Sequence, residues 1–245
     1  MIVHRNGIAV AGKSERDRAT DAAGCTRYQC HGSHVDPLLF QWLSSSHVDS
    51  ICEYARNAVG NALEVREAVS VLRGETRGDL FEICVSLAAE MISLVLDITP
   101  EEGIKLAADA VDSGAAFEKM KEWVALQGGD ASCLDDPSKL PTCPFSYKVK
   151  SPFKGYITSM NAEKIGIASM MLGAGRKTKD DMIDYGAGIV IGPKVGDFVE
   201  VGDTLCTLYS SNEMLFEASA DKYLSALSAG DEKPEKKPLI YKVIR

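Results

Sequence analysis

Long apolar stretches are missing from this sequence. No apolar run reaches the roughly 18–20 residues that a bilayer-spanning helix needs, so the sequence predicts no membrane partner. Only a few apolar residues come before the charges of the N-terminus, and the apolar core of a secretory signal is lacking. We therefore expect a cytoplasmic protein.

Positive charge is also scarce. The chain has 27 Lys and Arg against 35 Asp and Glu, which gives a formal net charge of −8. No basic stripe with interleaved aromatic residues is present, so a nucleic-acid partner is not expected.

Cysteine and histidine do not form a recognisable framework. The seven cysteines are scattered, and a disulfide framework is not expected in a chain of this length without an export signal. All four histidines lie in residues 1–50, where Cys25, Cys30, His31 and His34 have side chains that suit zinc. Their spacing fits no common zinc module, so chance composition of this segment is the favoured interpretation.

Helical patterns dominate the first half of the chain. Apolar spacing predicts helices over 58–73, 79–96, 100–113 and 115–127, with Asp79 as the cap of the second. In that second helix, Leu80, Ile83, Leu87, Met91 and Leu94 form a stripe that is typical of a core-facing helix.

Strand patterns dominate the second half, after a Gly-, Asp- and Pro-rich connection over 128–144. One helix is predicted at 162–172, followed by a charged loop. The strands are predicted at 147–149, 155–160, 188–191, 198–201, 204–208, 215–218 and 239–244.

Three segments carry a family resemblance. They are AVGNALEVREA at 58–68, AAFEKMKEWVALQGGDASCLDDPSKLP at 115–141, and AEKIGIASMMLGAGRKTKDDMIDYGAGIVI at 162–191. With this order and spacing, residues 55–245 resemble the C-terminal portion of the thymidine and pyrimidine-nucleoside phosphorylases.

The resemblance implies an α+β architecture. Residues 51–135 would form the helical part of the family's α/β domain, and residues 145–245 its β-rich C-terminal domain with one inserted helix. Residues 1–50 match nothing in the family, and we expect them to be a non-native or disordered segment of a truncated or frame-shifted gene. The alternative is a genuine, divergent N-terminal extension.

The resemblance also implies an activity. The intact enzyme would be a homodimeric pentosyltransferase of nucleoside salvage. It would use inorganic phosphate to convert a pyrimidine nucleoside, thymidine or uridine, into the free base and a pentose 1-phosphate, without an organic cofactor.

One binding site carries over from the family by position. Family members with a potassium ion hold it partly through backbone carbonyls before a helix and one acidic side chain within it. These positions correspond to Ala55, Ala58 and Glu67, and oxygen ligands of this kind suit a hard cation. The alternative is that Glu67 is an ordinary solvated residue of its helix.

The family's phosphate-binding stretch, Lys-His-Ser-Thr-Gly-Gly, is absent from the sequence. We therefore expect a C-terminal fragment that is inactive alone, with no catalytic or substrate-binding residue assigned. The alternatives are a non-catalytic binding or scaffolding fragment of the same fold, and a carrier domain with Lys222 as its modified lysine. The run from Gly173 to Thr178 resembles a phosphate loop, but Arg176 stands where such a loop needs glycine, so a structural role is favoured.

Overall fold

The computed structural model describes residues 56–176, 178–235 and 237–240. Within these ranges, no helix has the length and apolar character required to cross a membrane. The expectations for residues 1–50, including the zinc-type residues there, lie outside the described part of the chain.

The first half is helical, as predicted. A short strand, β1 (Ala58–Gly60), comes before five helices. These are α1 (Asn61–Leu72), α2 (Asp79–Leu96), α3 (Pro100–Asp112), α4 (Ala115–Leu126) and the short α5 (Ser132–Asp135), which a 3-10 turn follows at Pro137–Lys139.

Helices α2 and α3 form the closest helix pair. Thr99 and Glu102 form a capping box at the start of α3, and Pro100 occupies its first turn, where its missing N–H costs nothing. Gly103 permits a close approach, because a Cβ atom at that position would lie 2.6 Å from the Ala89 carbonyl oxygen.

The predicted start of the first helix was wrong by three residues. Residues 58–60 pair with β4 (Gly188–Ile191) as an antiparallel strand, and the helix begins at Asn61. Tertiary pairing with a strand 130 residues later in the chain decides this boundary, and local periodicity carries no information about it.

The predicted core stripe of α2 was also wrong in large part. Ile83 is buried, with 5% of its surface exposed, but Leu87, Met91 and Leu94 are 43%, 52% and 67% exposed. Most of the strongest apolar stripe of this helix therefore faces away from the core.

The second half contains two antiparallel sheets. The first has the order β1-β4-β6-β2, with β2 at Phe145–Lys150 and β6 at Thr204–Ser210. The second has the order β5-β3-β7, formed by β3 (Gly155–Met160), β5 (Phe198–Val199) and β7 (Leu227–Gly230). Because β1 belongs to the first sheet, residues of both predicted domains share it.

Two helices cover these sheets. Helix α6 (Ala162–Ser169) continues into a wider π-type turn at Met170–Ala174, and α7 (Phe216–Leu224) packs against α6. The main core lies among these elements and includes Val149, Ile157, Ile165, Leu172, Ile189, Leu205, Leu208 and Tyr223. The predicted α+β class is confirmed, whereas the division at 51–135 and 145–245 stays a prediction.

Two strand predictions differ from the structure. The predicted strand at 215–218 was wrong, since Asn212 caps a 3-10 turn that leads into α7. The strand at 198–201 ends at Val199, because the Glu200 amide donates to Asp203 and starts a turn. The strand at 239–244 reaches beyond the described residues, and β7 was not predicted.

Candidate functional site

The site predicted for a cation is formed by the chain just before α1. Glu67 lies on the second turn of that helix, and its carboxylate accepts hydrogen bonds from the backbone amides of Asn57 (2.7 Å) and Ala58 (3.1 Å). Glu67 is only partly exposed. It therefore holds the entering chain, which differs from the alternative of an ordinary solvated residue.

A second acid on the same face of α1 holds the same segment. Glu64 forms an ion pair with Arg56 at 2.5 Å and accepts from the Gly60 amide at 3.1 Å. The sequence analysis did not assign Glu64 a role, although its spacing of three residues from Glu67 places both carboxylates on one helix face. Together the two acids fix residues 56–60 against α1.

The backbone of Ala58 faces Glu67. The Asn57 carbonyl accepts from Ile191 at 2.7 Å, whereas the Asn57 amide donates to Glu67. The Ala58 amide donates to the same carboxylate, so two successive amides of the entering chain point to Glu67.

Two of the three predicted cation ligands therefore come together. Ala58 and Glu67 are in contact through the Ala58 amide, and carbonyl and carboxylate oxygens are the hard donors that potassium needs. Ala55 lies outside the described residues.

A small polar cavity of about 250 Å³ opens beside Glu67. Asp79 and Lys194 meet across it, with 3.5 Å between the Lys194 Nζ and an Asp79 carboxylate oxygen. The remaining lining comes from the chain before β1, the facing ends of α1 and α2 with their connection, and the β4–β5 turn: Asn57, Val71, Thr76, Gly78, Leu80, Gly192 and Asp197. The cavity thus lies between the helical half and the β-rich half.

Two of the segments that carry the family resemblance form one junction. Ser169 in α6 donates to the Val59 carbonyl at 2.8 Å, and the Asn61 side chain donates to the Ala174 carbonyl at 2.9 Å. The Ala62 amide donates to the Tyr185 carbonyl at 3.0 Å. The segment 58–68 is therefore held by the helix and loop of 162–191.

The connection between the halves is anchored at its C-terminal end by Asp184. This carboxylate accepts from the Cys143 thiol at 3.3 Å and from the amides of Gly186 and Ser211 at 3.0 and 3.1 Å. Burial acts to raise the pKa of Asp184, but these hydrogen bonds outweigh burial and the pKa lies below its ordinary value. Burial, with the Asp184 charge, raises the pKa of Cys143 to about 11, so this thiol is not a nucleophile at neutral pH.

Two alternatives from the sequence have no matching geometry. Gly173 and Gly175 follow helix α6, whereas a phosphate loop follows a strand, and Thr178 caps its own turn by donating to Asp181. Lys222 lies in the last turn of α7 and not at the tip of a hairpin, where a carrier lysine would be presented.

Comparison with known proteins identifies the fold of the second half. A family model described as the pyrimidine nucleoside phosphorylase C-terminal domain matches residues 156–229. The chain also matches a pyrimidine-nucleoside phosphorylase of Staphylococcus epidermidis, with 41% identity over 191 residues. A pyrimidine-nucleoside phosphorylase of Bacillus subtilis is 42% identical over 181 residues.

The chain represents the C-terminal portion of a protein of the pyrimidine-nucleoside phosphorylase family. The Staphylococcus epidermidis match covers 77% of this chain but 43% of the relative, and the Bacillus subtilis match covers 73% and 42%. The matched region therefore spans less than half the length of these curated relatives.

Proposed function

We propose that this chain supplies the C-terminal portion of a pyrimidine-nucleoside phosphorylase. The observation that carries the proposal is the identity of about 40% to proteins of that name over most of the described chain. The hydrogen-bonded junction between segments 58–68 and 162–191 supports it, because these are the segments of the resemblance.

The proposed reaction transfers a pentose from a pyrimidine base to phosphate. An oxygen of inorganic phosphate bonds to the anomeric carbon of thymidine or uridine while the bond from that carbon to the base nitrogen breaks. The base leaves with the bonding electron pair and then takes a proton, which gives the free base and a pentose 1-phosphate. A role in nucleoside salvage in the cytoplasm belongs to this proposal.

We further propose that the chain alone does not catalyse this reaction. Its sequence contains no Lys-His-Ser-Thr-Gly-Gly stretch to bind phosphate. If phosphate is not bound, the reaction loses much of the ~7–11 kcal/mol by which positioning of two reactants lowers the activation barrier. Loss of a donor that stabilises the charge on the departing base removes a further ~10²–10³ in rate.

A potassium site at Ala55, Ala58 and Glu67 is part of the proposal. Its support is the fixed position of the Glu67 carboxylate, which accepts from the backbone amides of Asn57 and Ala58 in the chain that enters α1. When bound, the ion would neutralise Glu67 and add oxygen coordination to the chain that enters α1. Raising potassium at constant ionic strength, with tetramethylammonium as the balancing cation, should raise the melting temperature. The Glu67→Gln chain should not respond, and an equal response of both chains contradicts the site.

The activity test is release of base from thymidine and from uridine with saturating phosphate. The 245-residue chain should match buffer. Co-expression with the part of the Bacillus subtilis relative that lies upstream of its match should give phosphate-dependent release. Turnover by the chain alone contradicts its inactivity, and a stable complex without turnover contradicts the phosphorylase proposal and favours a scaffolding role.

A further inference from the structure

An apolar stripe runs along the exposed side of helix α2. We define the α2 stripe as Cys84, Leu87, Met91, Leu94 and Val95, all of which are exposed. Leu94 and Val95 are 67% and 73% exposed. At about 1.5 Å per residue, the stripe is about 17 Å long. None of its members is charged, and large exposed apolar patches of this kind mark interaction sites.

The other side of α2 is already packed. Val85 and Ala89 are buried there, and α3 lies against this side through the close approach at Gly103. A helix that is apolar on two sides is typical of the interior of a larger body.

We propose that the α2 stripe is the docking surface for the upstream part of a phosphorylase chain. The match covers 43% and 42% of the lengths of the two named relatives. More than half of each relative therefore lies outside the part that this chain matches. That missing part is large enough to supply an apolar surface for the second side of α2. The inference rests on the proposed function for the identity of the partner.

The position of the stripe agrees with this partner. Helix α2 begins at Asp79, which lines the cavity beside Glu67, and the stripe continues away from that cavity along the helix. A segment seated on the Cys84 end of the stripe would therefore lie on the side of the cavity, and the chain would not have to rearrange its own core.

The test is co-purification of the tagged 245-residue chain with the upstream part of the Bacillus subtilis relative after co-expression. We expect a one-to-one complex by light scattering. Leu94→Glu and Met91→Lys should each lower the captured amount at least tenfold, since both place an unpaired charge in an apolar interface. Leu126→Glu is the matched control, because Leu126 on α4 is 72% exposed and lies outside the stripe.

A second measurement follows Cys84 within the stripe. Its modification by maleimide, located by peptide mass mapping, should slow at least tenfold in the complex. Capture without phosphorolysis leaves the docking inference standing while the proposed function fails.

Four results would overturn the inference. They are no capture by the unaltered chain, capture by Leu94→Glu equal to that of Leu126→Glu, a homodimer that Leu94→Glu converts to monomers, and protection of Cys84 in the isolated monomer. The third would assign the stripe to a second copy, and the fourth to residues 1–55 of the same chain.

Discussion

Gly60 and Gly188 face each other across the β1–β4 pair, and each has a φ of 151°. A Cβ atom on Gly60 would lie 2.5 Å from the Ala187 carbonyl oxygen, and one on Gly188 would lie 2.5 Å from the Val59 carbonyl oxygen. The contact atoms are backbone on both sides and cannot move away as a flexible side chain would. The junction between the two segments of the family resemblance therefore requires glycine at both positions.

Replacement of Gly188 by alanine should lower the free energy of unfolding by about 3 kcal/mol or more, because backbone strain and a backbone clash add. Gly202→Ala is the control. Gly202 also has a positive φ, of 90°, but a Cβ atom there would meet nothing within 4 Å. The Gly202→Ala chain should lose only about 1 kcal/mol in free energy of unfolding, which is the cost of backbone strain alone. Urea denaturation followed by circular dichroism measures both, and equal losses would refute the close-approach argument.

Replacement of Glu67 by alanine should release the chain that enters α1. Two backbone amides lose a charged acceptor, for which a loss of about 1–3 kcal/mol in local stability is expected. Hydrogen exchange at Asn57 and Ala58 should accelerate correspondingly, while the amides of β6 stay unchanged. Glu82→Ala, at an exposed position in the first turn of α2, serves as the control. Unchanged exchange at Asn57 and Ala58 would mean that Glu67 does not hold this segment.

Asp184 should make stability depend on pH in acid. Its folded pKa lies below the ordinary value of about 3.9, so its contribution is present above that value and is lost as pH falls through the folded pKa. Asp184→Asn should therefore be less stable than the unaltered chain by about 1–2 kcal/mol at pH 6. The difference should shrink below about pH 4. Urea titrations at a series of pH values test this, and a difference that grows in acid has the wrong sign.

The 137–141 segment should depend on Arg66. The Arg66 guanidinium donates to the carbonyls of Pro137, Leu140 and Pro141 at 3.2–3.4 Å. Arg66→Ala should accelerate tryptic cleavage after Lys139, because the bond can then enter the protease in an extended form. Arg77→Ala, which removes an exposed arginine that pairs with Asp112, should leave this cleavage rate unchanged. Similar rates in both variants would show that Arg66 does not restrain the segment.

The same cleavage addresses the predicted division of the chain. We expect limited proteolysis within 130–144 to leave residues 145–245 as a compact product. The pairing of β1 with β4 opposes their separation, so the product should be less stable than the intact chain. Early degradation of 145–245 would contradict an independent C-terminal domain.

Much of the fold could be predicted from the sequence because its signals are local. The helices at Asp79–Leu96, Pro100–Asp112 and Ala115–Leu126 agree with the predicted ranges within one residue. The predicted cap of α2 was wrong, because Gly78 is the N-cap and Asp79 is the first helical residue. The prolines and glycines at the other boundaries act on the nearest turns, and such signals need no knowledge of tertiary contacts. The family resemblance likewise followed from three segments in order.

The candidate site was only partly predictable. Glu67 was carried over from the family, but its hydrogen bonds to two backbone amides and the parallel role of Glu64 depend on how the chain enters α1. The cavity between Asp79 and Lys194 joins residues 115 positions apart, and their approach is set by the packing of the two halves.

By itself, the sequence determined the helical first half, most strands of the second half and membership of the phosphorylase family, because periodicity, capping and motif order are properties of the chain. Only the tertiary structure decided that residues 58–60 form a strand and that the α2 stripe remains exposed. Apolar spacing shows that a helix side avoids water, but which element covers that side depends on distant parts of the chain. Pairing and packing between such parts settle these features, and no local pattern encodes them.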